Sequence, residues 1–468
     1  MILSDIIKGT QAVIVSGEAQ TEIGAISCDS RKCAAGSLFI AVKGAKMDGH
    51  DFIPQAIANG ASAVISASRA DLALCACNFY GHPSKKLRLV GITGTNGKTT
   101  TVTLLYNLFR GMGHRCGLLS TIANYIDGER LETTNTTSDP ITINSLMAKM
   151  ADAGCEYCFM EVSSIGMEQD RVEGLEFALG IFSNLTHDHL DYHGTFAEYL
   201  RCKKLFFDRL GKKATAIVNV DDKNGMVMLQ NCKSKKMTYS CRGAADHNCR
   251  IMEESFDGML LKIDGTECWT RLIGRHNAYN ILAIYCAAVA LGLSKDDTLV
   301  GISALGSAPG RLENIRGPRG LSVIVDYAHT PDAMENVLKT LREVAPARNL
   351  VCLFGCGGDR DKTKRPEMAA VAEKYADRIF ITSDNSRSER TEDIIEDIKK
   401  GLSAKGLAKS VSIPDRKEAI RSAILLSPDN STILLAGKGH ENYQIIGTEK
   451  RHFDEKEIVA EIFKTMEG

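Results

Sequence analysis

The sequence predicts an α/β fold laid out in three blocks. Three observations carry that reading. A strand-like run at 87–93 leads into Gly94-Thr-Asn-Gly-Lys-Thr-Thr100 and then a helical pattern to about residue 111. Short apolar runs with polar ends at 157–162 and 179–185 alternate with helical patterns at 196–210 and 277–291, as buried parallel strands and crossover helices do. After Gly320 the alternation resumes, with runs at 321–326, 349–354, 378–382 and 431–436 and helical patterns such as 331–344 and 365–376.

The first block runs to about residue 85. It holds strand-like pieces at 37–42 and 63–66 and a short helix at 54–59. Residues 81–86, Gly-His-Pro-Ser-Lys-Lys, mix turn formers with charge and read as a linker. The expected domains are 1–85, 86–315 and 316–468. A chain of 468 residues exceeds what one hydrophobic core serves, which agrees with several domains.

Composition closes off other classes. Hydrophobic residues make up 44% and charged residues 25%, ordinary for a globular protein. A formal net charge of −1 offers no basic excess for nucleic acid. No apolar run reaches the ~18–20 residues of a membrane span. The first residues lack the pattern of a signal peptide, so a cytoplasmic location is expected. Fifteen cysteines, an odd number, lie scattered through apolar segments and read as free thiols. Cys155-Glu-Tyr-Cys158 has metal-ligand spacing, but no second pair stands at zinc-ribbon distance, so core packing is the reading.

The segment Gly94, Thr95, Asn96, Gly97, Lys98, Thr99, Thr100 has the chemistry of a phosphate loop. Glycines let backbone N–H groups turn toward phosphate oxygens, and the helix N-terminus adds a favourable dipole. Lys98 would reach the β- and γ-phosphates, and the Thr99 hydroxyl would ligate Mg²⁺. The common motif places a glycine five residues before Gly97; here that position is Ile92 and the glycine is Gly94.

Glu161 and the segment after Asn184 end adjacent predicted strands, where ligands gather in parallel sheets. Glu161 and His189 are therefore candidate Mg²⁺ ligands beside the triphosphate. The run His187-x-His189-x-Asp191-x-His193 also resembles a zinc-hydrolase ligand set. Tyr192 interrupts the familiar spacing, and such hydrolases need no phosphate loop. Lys203 falls on the following helix, where a lysine by itself reads as a solvated face.

Taken together, these residues resemble the Mur ligase family. The matching pieces are residues 94–100, Glu161-Val-Ser-Ser, Asn184-Leu-Thr-His-Asp-His189, Tyr199-x-x-x-Lys203, Gly274-Arg-His-Asn277-x-x-Asn280, Gly310-Arg311 and Asp326-Tyr-Ala-His-Thr-Pro331. They span all three blocks. Within the family the likeness is to ligases that add the third residue of the peptidoglycan stem peptide, marked by Asp29-Ser-Arg31, Asn135-Thr-Thr137, Gln169-x-Arg171, Gly357-Gly-Asp-Arg360 and Gly437-Lys-Gly-His-Glu441.

The resemblance implies a UDP-binding N-terminal domain, a central ATP-binding phosphate-loop domain and a C-terminal Rossmann-like domain that brings the amino acid. It places Ser30 near the uracil. It places Asn135, Thr136, Thr137, Ser163, Gln169 and Arg171 at the acceptor, UDP-N-acetylmuramoyl-L-alanyl-D-glutamate. It assigns Asn277, Arg311 and Asp326 to ATP, and Arg360, Asp384, Asn385, Ser386, Arg387, Gly437 and Glu441 to the amino acid. It implies that Lys203 is carbamylated and joins Glu161 and His189 around one Mg²⁺, with another Mg²⁺ at Thr99. The catalytic set is then Lys98, Lys203 and, as a candidate base, His187. Family members that use meso-diaminopimelate carry Asp-Asn-Pro-Arg; here it is Asp384-Asn-Ser-Arg387, which keeps the arginine for the distal carboxylate. Diaminopimelate is therefore favoured, with L-lysine as the alternative. Only small-molecule substrates and a monomer are expected, without nucleic acid or membrane.

Overall fold

The strand before the glycine turn forms at Arg88–Thr93 and the helix after it at Lys98–Gly111. The computed structural model describes residues 1–44, 47–133, 135–186 and 190–467. Packing divides the chain into two units, Met1–Asn248 with Asn280–Gly301, and Cys249–Tyr279 with Ile302–Gly468.

The first unit holds two sheets. Val13–Ser16, Ala63–Ala67, Ser37–Val42 and Ala25–Ser27 form a four-stranded sheet in that spatial order. Leu38, Ile40, Ile65 and Cys75 build its core against the helix Arg69–Phe79. That helix starts on a capping box between Ser68 and Asp71.

The second sheet carries the phosphate loop. Lys235–Ser240, Thr215–Asn219, Leu179–Phe182, Arg88–Thr93, Tyr157–Glu161 and Cys116–Leu119 lie side by side, all parallel. Asn124–Ile126 and Glu129–Leu131 continue it as antiparallel edge strands. Arg88–Thr93 is central, and its neighbours pair Phe182 with Thr93 and Ile92 with Glu161. Glu161 and Ser183 therefore emerge level with the start of the loop, one on each side. The three central strands are buried along their length except at Arg88, because both faces are covered.

In the second unit, Glu313–Arg316, Ser322–Asp326, Thr432–Ala436, Leu350–Phe354, Arg378–Ile381 and Ser410–Ser412 form a six-stranded sheet, parallel except at the first strand. One face packs against the helices Pro331–Val344 and Lys364–Tyr375, the other against Arg416–Leu425 and Glu455–Glu467. Every predicted amino-acid residue of this unit follows the carboxyl end of a strand, as the switch-point rule for such sheets requires. The strands Gly258–Ile263 and Thr266–Thr270 form an antiparallel hairpin that the sequence reading did not foresee.

All fifteen cysteines are free. Burial pushes the Cys155 and Cys158 thiols up, so both are protonated core side chains. Among the described residues no helix is long and apolar enough to cross a membrane.

Gly91, mid-strand, tests how tightly the central sheet is covered. An added Cβ would meet Phe206 Cζ at 2.6 Å and Phe177 Cε1 at 2.7 Å. Gly91→Ala is expected to lower the unfolding free energy by about 1–3 kcal/mol in urea titration. An unchanged midpoint would show that these two rings yield freely.

Candidate functional site

The loop after Arg88–Thr93 is shaped by two glycines. Gly94 has φ +154° and Gly97 φ +87°; a Cβ would fall 1.9 Å from Ser183 Oγ at the first and 2.4 Å from Asn280 Oδ1 at the second. Only glycine fits both the conformation and the space. The loop is then laced to the neighbouring strand end. Asn96 N donates to Asn184 Oδ1 at 2.9 Å, and Ser183 Oγ donates to Asn96 O at 2.7 Å. Thr95 N donates to Asn184 O at 2.9 Å, and Thr95 Oγ1 lies 3.1 Å from the Tyr199 hydroxyl.

Two lysines reach this loop. Lys98 Nζ donates to Gly94 O at 2.9 Å and Thr95 O at 3.0 Å. Lys203, buried on the helix Phe196–Asp208, donates to Gly94 O at 2.8 Å and lies 4.6 Å from the centroid of the Tyr199 ring. It is therefore no solvated surface residue.

Glu161 is 1% exposed. Its Oε2 accepts from Thr99 Oγ1 at 3.0 Å, and its Oε1 accepts from Thr121 N at 2.8 Å and Thr121 Oγ1 at 3.0 Å. A carboxylate and a hydroxyl oxygen meeting at the mouth of a phosphate loop form a hard donor set that suits Mg²⁺. His187 and His189 lie outside the described residues. Among the described residues no group of three His, Cys, Asp or Glu could hold a metal. The oxygen donors on view are therefore Thr99 and Glu161.

The predicted acceptor residues converge on the same carboxylate. Thr136 Oγ1 lies 3.0 Å from Thr121 Oγ1, and Thr137 Oγ1 donates to Glu161 O at 2.9 Å. Ser163 N donates to Thr137 Oγ1 at 3.0 Å, and the Arg171 guanidinium donates to Thr137 O and, at 2.7 Å, to Gln169 Oε1. Asn135 is exposed, with its carbonyl accepting from Thr133 Oγ1 at 3.0 Å. Ser30 lies apart, in the four-stranded sheet's layer, where its hydroxyl donates to Gln55 Oε1 at 2.8 Å.

In the second unit, Asp326 accepts from Leu312 N at 2.7 Å and Ala328 N at 2.8 Å. Burial pushes its carboxyl up, against the pull of Arg311, whose guanidinium sits over the Tyr327 ring. Asn277, in the first turn of the helix Arg275–Ala290, donates to Ile273 O at 2.8 Å. Of the residues predicted to take the amino acid, Asp384, Asn385 and Glu441 gather around Lys438, to which the sequence reading assigned no role beyond its place in the motif Gly437–Glu441. Lys438 is fully buried, with Nζ 3.5 Å from Asp384 Oδ1 and 3.3 Å from Glu441 Oε2, and it donates to Tyr443 O at 2.7 Å. Asn385 Nδ2 donates to Glu441 Oε2 at 3.0 Å. Burial opposes ionisation of Asp384, but Lys438 and Arg416 hold its carboxyl below the ordinary range. Gly437 lies beside this group, where a Cβ would meet Asp384 Oδ2 at 2.9 Å.

Arg387 has φ +51°, and its Nη1 donates to Gly358 O at 2.9 Å; Arg360 is exposed on the facing loop. Ser386, where proline was expected, is buried, and its carbonyl accepts from Glu389 N at 3.1 Å.

Models of three Mur ligase domains match the chain: the Mur ligase family catalytic domain over residues 22–93, the middle domain over 92–288 and the glutamate ligase domain over 310–439. The chain belongs to the Mur ligase family. It is 49% identical, over 99% of both chains, to the UDP-N-acetylmuramoyl-L-alanyl-D-glutamate--2,6-diaminopimelate ligase of Phocaeicola vulgatus. A solved structure of a ligase with that same name aligns at TM-score 0.71 and 30% identity, covering 100% of this chain and 99% of the other. A folylpolyglutamate synthase of Mycobacterium tuberculosis shares the fold at TM-score 0.64 and 19% identity, over 80% of this chain and 92% of its own. That likeness, at under 25% identity, is one of fold and spans four fifths of this Mur ligase.

The ion pairs of this Mur ligase can be tested at Lys438 and at Glu389. Lys438→Met removes the buried ammonium between Asp384 and Glu441 and leaves Asp384 only Arg416, so unfolding free energy should fall by about 3–5 kcal/mol in denaturant titration; a loss below about 1 kcal/mol would contradict the pairing. Glu389, held by Arg365 first and further by Asp359 N and Lys362, is lowered from 4.5 to about 2. Its folded value lies below its unfolded one, so its contribution is complete above about pH 4.5 and is lost as pH falls toward 2. Stability should therefore fall more steeply between pH 5 and pH 3 in the parent than in Glu389→Gln; equal slopes would refute the assignment.

Proposed function

We propose that this chain is an ATP-dependent ligase that joins meso-2,6-diaminopimelate to the D-glutamyl side-chain carboxylate of UDP-N-acetylmuramoyl-L-alanyl-D-glutamate. The observation that carries the reading is Glu161, whose carboxylate binds Thr99 of the phosphate loop on one side and Thr121 on the other, while its backbone carbonyl holds Thr137 of the acceptor set. The near-full-length likeness to relatives named for this reaction supports the substrate choice. Domains 1–85, 86–315 and 316–468 would bind the UDP end, ATP with the acceptor, and the amino acid. A cytoplasmic location goes with this role in precursor synthesis.

The chemistry follows from charge. A carboxylate is a poor electrophile and must first be activated. The acceptor carboxylate attacks the γ-phosphorus of ATP, its bond to the β–γ bridging oxygen breaks, and an acyl phosphate and ADP result. Two anions approach in that step. Lys98 is placed to offset phosphate charge once it swings from the Gly94 and Thr95 carbonyls. Thr99 would hold one Mg²⁺, and Glu161, His189 and carbamylated Lys203 would hold a second; the two cations would supply further neutralisation. A carbamate on Lys203 retains one Nζ–H, so the bond to Gly94 O survives the modification. Arg171, Thr137 and Ser163 hold the acceptor in line. The neutral amine of the incoming amino acid then attacks the acyl carbon, and phosphate leaves from the tetrahedral intermediate. His187 is the candidate to take the amine's proton.

The diamino diacid is preferred over L-lysine because its distal end carries both charges. Arg387 and Arg360 suit the distal carboxylate, and Glu441 suits the distal ammonium. With lysine the arginines would have no anion to meet.

Phosphate release tests the reading. With ATP, Mg²⁺ and the UDP-linked dipeptide, release should depend on added diaminopimelate and be far slower with L-lysine or no amino acid. Release with lysine alone would reverse the substrate choice, and release with neither would sink the ligase assignment. Lys203→Ala should lose activity by about a hundredfold or more, without rescue by bicarbonate. Full activity in that variant would remove the carbamate from the mechanism.

A further inference from the structure

One ionic group in the second unit is used by none of the steps above. Arg365, in the first turn of Lys364–Tyr375, is 0% exposed. Its guanidinium forks onto Glu389, with Nη2–Oε1 at 2.9 Å and Nη1–Oε2 at 3.0 Å. It also reaches Asp397 Oδ2 at 2.9 Å and donates to Gly357 O at 3.3 Å.

Glu389 stands two residues after Arg387, and its Oε1 accepts from Asp359 N at 2.7 Å, the residue before Arg360. The Asp359 carboxylate returns across the same gap, accepting from Ser388 N at 3.2 Å and Ser388 Oγ at 2.5 Å. Arg387 Nη1 closes the circuit on Gly358 O. The two loops touch so closely that a Cβ on Gly358 would lie 1.9 Å from Ser386 O. Both arginine-bearing loops are therefore anchored to one buried guanidinium.

We infer that the Arg365–Glu389 pair positions the amino-acid pocket, fixing the spacing of Arg360 and Arg387 without touching the substrate. The inference rests on the reading that those two arginines take the distal carboxylate of the incoming amino acid. A buried ion pair is weak evidence for stability, since an apolar pair of like volume does as well. What an apolar pair lacks is direction. A bidentate guanidinium–carboxylate fork fixes distance and plane together, which two loops need if they are to present two cations to one carboxylate. Arg365 and Glu389 are thus positioning residues for recognition of the diacid.

Asp397 supplies the internal control. It takes Arg365 Nη1 and Lys400, but it sits on the helix Thr391–Lys399 and bonds to neither arginine-bearing loop. The test compares Glu389→Gln, Arg365→Lys and Asp397→Asn in the full enzyme, reading kcat, the KM of each substrate and Tm. Glu389→Gln and Arg365→Lys should raise the KM for diaminopimelate about tenfold or more. Their kcat at saturation should change less than about twofold, and the KM values for ATP and the UDP-linked dipeptide should hold. Asp397→Asn should leave all three KM values in place whatever it does to Tm. An unchanged diaminopimelate KM in Glu389→Gln overturns the inference. So does a rise in Asp397→Asn that matches it, or a parallel rise for all three substrates. Should Arg365→Lys fail to fold, Glu389→Gln, which keeps the size and loses the charge, decides alone. A parent enzyme inactive with diaminopimelate would sink the substrate reading instead, a result distinct from any of these.

Discussion

The first unit depends on the carboxylate of Glu161. It is buried at the carboxyl end of the strand beside the phosphate loop, and each oxygen has a defined partner: Thr99 on one, Thr121 on the other. A buried anion is costly unless it is hydrogen-bonded or meets a cation. Hydroxyl and amide donors meet that cost here and leave the group beside the place where phosphates and Mg²⁺ are proposed to sit. Its backbone carbonyl holds Thr137, and Thr137 in turn holds Ser163 and Arg171. Nucleotide and acceptor residues are thus referred to one residue, which suits a reaction in which acceptor oxygen must meet γ-phosphorus in line.

The second unit solves a related problem with opposite signs. A diamino diacid needs both a cationic and an anionic receptor, and each must be kept from neutralising the other. Lys438 is buried between Asp384 and Glu441, while Arg365 is buried against Glu389 and Asp397. Each internal cation holds carboxylates in place, Lys438 beside Asn385 and Arg365 beside the loops that carry Arg360 and Arg387, the residues proposed to meet the ligand.

Much of this was legible in the sequence where a local signal coincided with a strong period. The helices Lys98–Gly111 and Pro331–Val344 lie where the pattern placed them, the second because Thr330 caps it and Pro331 starts it. The helix Arg69–Phe79 was missed although its Ser68–Asp71 capping box was readable. The hairpin at Gly258–Thr270 was missed although Met259–Ile263 is a short apolar run; its partner Thr266–Thr270 is largely polar and exposed, and carries little strand signal of its own. In the site, the motif residues were legible as motifs. Lys438, Arg365 and Thr121 were not, because a sequence records charge but not burial: a lysine with 0% exposure and one on an open helix read alike. Lys203 shows the same limit, since its role came from resemblance and only the fold buries it against Gly94.

In the proposed mechanism Glu161 joins a hard cation to the phosphate loop. Titration calorimetry of ATP binding, with Mg²⁺ and with chelator, in the parent and in Glu161→Gln tests this most directly. The account predicts that Mg²⁺ tightens ATP binding in the parent and that most of this gain disappears in the variant, while affinity in chelator is unchanged. A variant that keeps the full Mg²⁺ gain would contradict it.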